Sequence, residues 1–159
     1  MRVRGRGVEA DESSRGVDLH EDLLVQRARE AWGVARAGNR IRDDVREVAR
    51  ALADSGSVVS DDAFFHAEGL NPLKARHPGD GETVRKVVHI APAERYVALA
   101  ELAAECPGMS RDELIKQACE FFGWRRTGKD IRDCLAAGIE ELHRQRRLEG
   151  GPERIRAAR

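Results

Sequence analysis

Between His20 and Trp32 the apolar positions are Leu24, Val25, Ala28, Ala31 and Trp32, a three- and four-residue rhythm that predicts an amphipathic helix closed by Gly33. A second helix is predicted from about Gly38 to Ala53, with Ile41, Val45, Val48, Ala49 and Leu52 on one face and Asp54-Ser55-Gly56 as its stop. Two β-prone runs follow, Val58-Val59 and Phe64-Phe65, joined through Asp61-Asp62 as a hairpin. The run Val84 to Ile90 offers a further short strand. Pro92 opens a helix to about Cys106, with Tyr96, Leu99, Ala100, Leu102 and Ala103 facing inward. Ser110 to Glu113 spells a capping box, and the helix it starts carries Leu114, Ile115, Ala118, Cys119 and Phe122 on its apolar side. The last helix is expected to begin at Thr127, capped by that hydroxyl with Asp130 reaching back, and to bury Ile131, Leu135, Ile139 and Leu142. Arg146 to Arg156 then turns back on itself around Gly150-Gly151-Pro152 as a second hairpin.

The pattern is a repeat. Residues 33 to 43 (G-V-A-R-A-G-N-R-I-R-D) and 123 to 133 (G-W-R-R-T-G-K-D-I-R-D) align without a gap at a spacing of 90. The identities are Gly33/Gly123, Arg36/Arg126, Gly38/Gly128, Ile41/Ile131, Arg42/Arg132 and Asp43/Asp133. The register continues through Asp22/Asp112, Leu24/Leu114, Ala28/Ala118, Glu30/Glu120 and Leu52/Leu142, and Phe122 stands where Trp32 stands. Two unrelated Arg-rich helices would not keep their glycines in step, so a duplicated structural unit is predicted. Helix, turn, helix, hairpin is the order of a winged helix-turn-helix. The expected fold is therefore mainly α with short β hairpins, as tandem winged helix-turn-helix units. The expected organisation is a flexible N-terminal tail at 1–19, a first unit at 20–68, a linker at 69–91 broken by Gly and Pro, and a second unit at 92–159. The helix opened by Pro92 has no evident counterpart in the first unit.

Charged residues make up 35% of the chain and aromatics 4%, which suits narrow apolar faces and thin cores. Net charge is zero, so bulk electrostatics announce no polyanionic partner. The distribution says more: residues 110–159 carry 12 Lys/Arg against 9 Asp/Glu, whereas residues 20–66 carry 7 against 9. Contact with a polyanion should lean on the second copy. Cys106, Cys119 and Cys134 are odd in number and never spaced as C-x-x-C, which argues against a disulfide framework or a zinc knuckle and for a reducing cytoplasm. No apolar run approaches the roughly 20 residues needed to span a bilayer, so no membrane partner is expected.

Little in the chain announces catalysis. Gly123 to Lys129 spells G-x-x-x-x-G-K, but Asp130 stands where a phosphate-binding loop needs Ser or Thr, and the residues before it are helical in period. Asp130, Asp133, Glu140 and Glu141 alternate with cations as ordinary helix-surface pairs do, and Asp43 and Asp133 are placed to hold Arg42 and Arg132 or to cap a neighbouring backbone. His20, His66, His77, His89 and His143 are scattered without a ligand motif. The expectation is no enzyme, no cofactor and no metal. The cations carry more. In a winged helix the third helix enters the major groove and the wing touches the flanking backbone. Those positions hold Arg125, Arg126, Thr127, Gly128, Lys129 and Arg132 in the second copy, with Arg146, Arg147 and Arg154 about the wing. The first copy offers Arg36, Arg40 and Arg42, but Asp43, Asp44, Glu47 and the acidic Asp61-Asp62 hairpin suit it better to a protein surface than to DNA.

These same residues resemble a known family. Glu30 to Asp43 (E-A-W-G-V-A-R-A-G-N-R-I-R-D), Ile90 to Glu94 (I-A-P-A-E), Ser110 to Leu114 (S-R-D-E-L) and Phe121 to Arg132 (F-F-G-W-R-R-T-G-K-D-I-R) resemble an uncharacterised C-terminal region of large bacterial proteins. Those proteins carry a superfamily 1 helicase and a restriction-endonuclease-like domain. The resemblance spans about residues 18 to 155 and implies a DNA-binding or substrate-positioning module for a helicase and nuclease, in DNA repair or defence against foreign DNA; together with the cations above, the expectation is a non-catalytic module that binds double-stranded DNA chiefly through phosphate contacts of the second unit. The resemblance assigns no catalytic residue here, and no helicase or nuclease motif is present. Two alternatives stay open: a protein-interaction adaptor docking onto a helicase or nuclease, and a winged-helix transcription regulator.

Overall fold

A computed structural model describes residues 19–36, 38–66 and 74–159. The expected N-terminal tail up to residue 18 and the start of the expected linker lie outside the described residues. Five α-helices and short antiparallel strands make up the regular structure of the described residues. In order these are β1 (Leu19–His20), α1 (Glu21–Ala31), α2 (Asn39–Asp54), β2 (Val59–Asp61), β3 (Phe64–His66), α3 (Pro92–Glu105), α4 (Arg111–Phe121), α5 (Lys129–Arg144), β4 (Leu148–Glu149) and β5 (Arg156–Ala157).

The spacing of 90 reappears in the backbone. Adding 90 to the bounds of α1 (21, 31) and α2 (39, 54) returns those of α4 (111, 121) and α5 (129, 144). Gly33 at φ +68° and Gly123 at φ +77° each close the preceding helix, in a left-handed conformation that costs glycine nothing and other residues energy. The closing hydrogen bonds also match. Gly33 N donates to Glu30 O and Gly123 N to Glu120 O, both at 3.1 Å, while Val34 N→Arg29 O at 3.0 Å matches Trp124 N→Cys119 O at 2.9 Å. Leu19 pairs antiparallel with Phe65, and Met109 bridges Ile155, again 90 positions on. In each half a strand residue preceding the helix pair therefore joins the returning strand of the hairpin. The strand order in the first half is β1-β3-β2, and β4 pairs with β5 in the second.

The halves differ in what covers them. In the second, α3 lies across α4 and α5, and Leu99, Ala103, Leu114, Ile115, Ala118, Leu135, Ile139, Leu142, Leu148 and Ile155 close one buried apolar cluster. The capping box is present: Ser110 Oγ accepts from Glu113 N, and the Glu113 carboxylate accepts from Ser110 N at 2.8 Å. The first half buries Val25, Ala49, Phe64 and Phe65. Trp32, Val48 and Leu52, expected to face inward, are exposed, because no described helix lies over them as α3 lies over their counterparts.

In the part described, residues 74–91 pack against the second half. Val87, Ile90 and Ala91 are buried, and Ile90 joins Ala98 and Phe122 in a second cluster. No strand forms between Val84 and Ile90; Val87–His89 is a 3-10 turn, and Arg95 donates to Val87 O at 3.2 Å. Trp124 Nε1 ties the segment down by donating to Arg85 O at 2.8 Å. Below it Glu94, 1% exposed, receives both terminal nitrogens of Arg85 at 2.7 and 2.9 Å and the backbone N of Arg76 at 3.0 Å. A carboxylate is costly to bury, and this bidentate clasp with a backbone donor offsets that cost. Burial, and then the neighbouring Arg85, lowers the Arg76 pKa from its ordinary value. Cys106, Cys119 and Cys134 are free thiols. No helix of the described residues is long and apolar enough to cross a membrane.

Candidate nucleic-acid interface

The turn between α4 and α5 is set by two glycines. Gly123 ends α4, and Gly128 is the N-cap of α5, with no side-chain cap. A capping role for Thr127 is therefore corrected: its hydroxyl lies 3.3 Å from Cys119 Sγ, and α5 starts two residues later at Lys129. Between the glycines Trp124 turns into the protein, while Arg125 and Arg126 are exposed and form no ion pair among the described residues. Both side chains reach solvent just before the first turn of α5.

Lys129 follows, its side chain 92% exposed, with Nζ 3.1 Å from Asp133 Oδ2. Arg132 donates to Asp112 at the start of α4, at 2.9 Å. The expected partnership of Asp133 with Arg132 is thus replaced: one turn along α5, Asp133 meets Lys129, and Arg132 is drawn across to α4. Both pairs are well exposed, where water and salt weaken such contacts and an incoming phosphate can compete for the cation. Asp130 sits over the same helix start; a Cβ on residue 128 would fall 2.6 Å from Asp130 Oδ1. That carboxylate takes up some of the positive end of the α5 dipole, leaving the arginines as the stronger anion contacts. Arg146, Arg147 and Arg154 are exposed about the β4–β5 hairpin and form no ion pair among the described residues, and Arg146 adopts φ +58° at the end of α5.

In the first half Arg36, Arg40 and Arg42 are exposed around the start of α2. Arg46 donates to Glu21 at 2.9 Å, and Asp43 lies 4.0 Å from Arg46, not on Arg42. The equivalence of Arg36 with Arg126 and of Arg42 with Arg132 is therefore kept in backbone position, while the ion pairs around them differ between halves.

One cluster was not foreseen from the histidine spacing. His20, Asp22 and His89 come together where the halves meet, with Asp22 Oδ2 3.7 Å from His20 Nδ1 and 3.5 Å from His89 Nε2, and the imidazole rings 4.9 Å apart. The ligand types suit a metal, but His20 Nδ1 already accepts from Asp22 N at 3.1 Å as the cap of α1. The positive end of that helix also opposes a cation. The cluster is a polar contact between the halves. Sixty-nine positions separate His20 from His89, so no local motif signals it.

The described molecule is thus an α-helical protein with short antiparallel strands and an exposed basic turn between two helices of its second half. The family described as a protein of unknown function (DUF3320) matches residues 19–43, which cover β1, α1 and the start of α2, and the chain is similar to that family over this stretch. No curated protein and no solved structure matches the chain.

Proposed function

We propose that this chain is a non-catalytic module that binds double-stranded DNA with tandem winged helix-turn-helix units, chiefly through phosphate contacts of the second unit. The observation that carries the reading is the exposure of Arg125, Arg126 and Lys129 together at the turn leading into α5, the helix that would enter the major groove. Arg146, Arg147 and Arg154 stand about the hairpin that would serve as the wing. The pairing of Met109 with Ile155 supports the assignment, since a winged helix joins the strand before its second helix to the wing. The resemblance to helicase-linked and nuclease-linked regions makes an accessory role in DNA repair or in defence against foreign DNA the reading for its biological setting.

The test is a titration of labelled duplex with wild type and with Arg125→Ala/Arg126→Ala/Lys129→Ala. Binding by these cations falls by roughly 10-fold or more in the triple variant, and the wild-type affinity drops steeply between about 50 and 200 mM salt because each neutralised phosphate releases counterions. Equal affinity of the two proteins for duplex, or an affinity indifferent to salt, overturns the reading.

A further inference from the structure

The chain just before α3 comes up against the turn between α4 and α5. Arg85 O accepts from Trp124 Nε1 at 2.8 Å, and the Arg85 guanidinium is held by the buried Glu94. Two residues on, Val87 is buried and its carbonyl accepts from Arg95 Nη1 at 3.2 Å. Lys86 lies between these anchors with extended backbone, φ −67° and ψ 151°. Successive side chains of an extended segment point to opposite sides, so with Arg85 and Val87 turned inward Lys86 is turned outward. It is exposed and forms no ion pair among the described residues, although 35% of the chain is charged.

Lys86 shares a cleft of about 290 Å3 with Trp124, Asp130 and Ile131. Trp124 immediately precedes Arg125, and Asp130 immediately follows Lys129, so this lysine borders the stretch that presents Arg125, Arg126 and Lys129. Val84 and Val88, which line the same cleft, are exposed. A cation flanked by apolar side chains matches the alternation of anionic phosphate and deoxyribose carbon along a DNA strand. Contacts to phosphate and sugar are the ones that seat a protein on a duplex.

We propose that Lys86 is a further phosphate contact of the duplex-binding face, delivered from outside the helix-turn-helix by the segment that precedes α3. The inference rests on the DNA reading above and extends it. The phosphate-binding face is built from two stretches of chain tied together by the Trp124 to Arg85 hydrogen bond, with Lys86 on one and Arg125, Arg126 and Lys129 on the other. An ammonium group is a compact point charge that meets phosphate without the two-pronged geometry of a guanidinium. Lys86 therefore adds affinity and salt dependence, and carries no base selectivity.

Anisotropy titrations of a labelled duplex between about 50 and 200 mM salt compare the full chain as wild type, Lys86→Gln, Lys86→Arg and Arg50→Ala. Arg50 is an exposed cation of α2 with no ion pair among the described residues, so Arg50→Ala removes the same charge from a place outside the proposed face. Lys86→Gln binds about 3- to 10-fold more weakly at the low-salt end, and its salt dependence falls by about one phosphate contact. Lys86→Arg and Arg50→Ala bind as wild type does. The circular dichroism spectrum of Lys86→Gln is that of wild type, as expected for an exposed side chain. A loss in Lys86→Gln no larger than that in Arg50→Ala, or an equal loss in Lys86→Gln and Lys86→Arg, overturns the inference. The triple variant of the basic turn reports on the DNA reading separately: if it weakens binding while Lys86→Gln does not, only the role of Lys86 falls. No duplex binding by wild type removes both.

Discussion

Glu94 and Arg85 form a two-pronged ion pair at 2.7 and 2.9 Å beneath the segment that joins the two halves. The carboxylate is buried, and the guanidinium also donates to Arg76 O at 3.1 Å, so one pair fixes both the start of α3 and the chain before it. Glu94→Ala leaves two guanidinium groups partly buried without their anion and should cost about 3 kcal/mol. Urea denaturation measures it. A loss below about 0.5 kcal/mol would mean that the pair is as weak as an exposed one.

The two helix-stop glycines should respond unequally to the same substitution. A Cβ at Gly33 meets nothing within 4 Å, so Gly33→Ala bears only the left-handed backbone strain, about 1 kcal/mol. At Gly123 the added Cβ would fall 2.9 Å from Pro78 Cγ and 3.3 Å from Val84 Cγ2. Gly123→Ala should therefore destabilise by more than Gly33→Ala, and thermal unfolding of the two variants ranks them. Equal losses would mean that residues 78–84 do not pack on the α4–α5 turn in solution.

Stability should weaken on the acid side through Glu113. Hydrogen bonds from Ser110, first its backbone and then its hydroxyl, lower the Glu113 pKa from its ordinary value of 4.5. A carboxylate whose pKa is lowered by folding contributes stability that is present above its ordinary pKa and is lost as pH falls through the lowered value. Glu113→Gln should lower the urea midpoint at neutral pH, and the gap from wild type should narrow as the pH drops below 4.5. A gap that is constant with pH would show that the charge of Glu113 takes no part in the cap.

If the basic turn meets phosphate, Asp112 is a competitor for Arg132, which it holds at 2.9 Å. Asp112→Asn frees the guanidinium and removes a negative charge from the proposed contact face, so duplex affinity should rise by about 2- to 5-fold at low salt, with a steeper salt dependence. An unchanged affinity would place Arg132 outside the contact.

What could be read without coordinates is what neighbouring residues decide among themselves. α1 and α2 lie within one residue of their predicted bounds, and α4 and α5 begin within two residues of their expected starts, because glycine stops, the Ser110–Glu113 box and the apolar rhythm act over one or two turns. The spacing of 90 was equally legible, since duplicated residues keep duplicated backbone. The exposure of Arg125 and Arg126 followed from a Gly-bounded turn rich in charge. Capping by Thr127 was misread because Gly128 itself can serve as N-cap, which leaves the hydroxyl to turn toward Cys119.

Burial belongs to the tertiary structure. Trp32 and Phe122 occupy the same backbone position and are 63% and 2% exposed, a difference no local pattern contains, because it depends on whether a third helix lies overhead. The joining of His20 with His89 and the clasp of Glu94 by Arg85 likewise arise when segments far apart or across a turn are brought into contact. The sequence by itself determined where the chain coils and where it bends, through interactions a few residues long. Only packing decided which of two equivalent faces is covered and which is left to water, since solvent exclusion is a property of surfaces meeting and not of the residues on one of them.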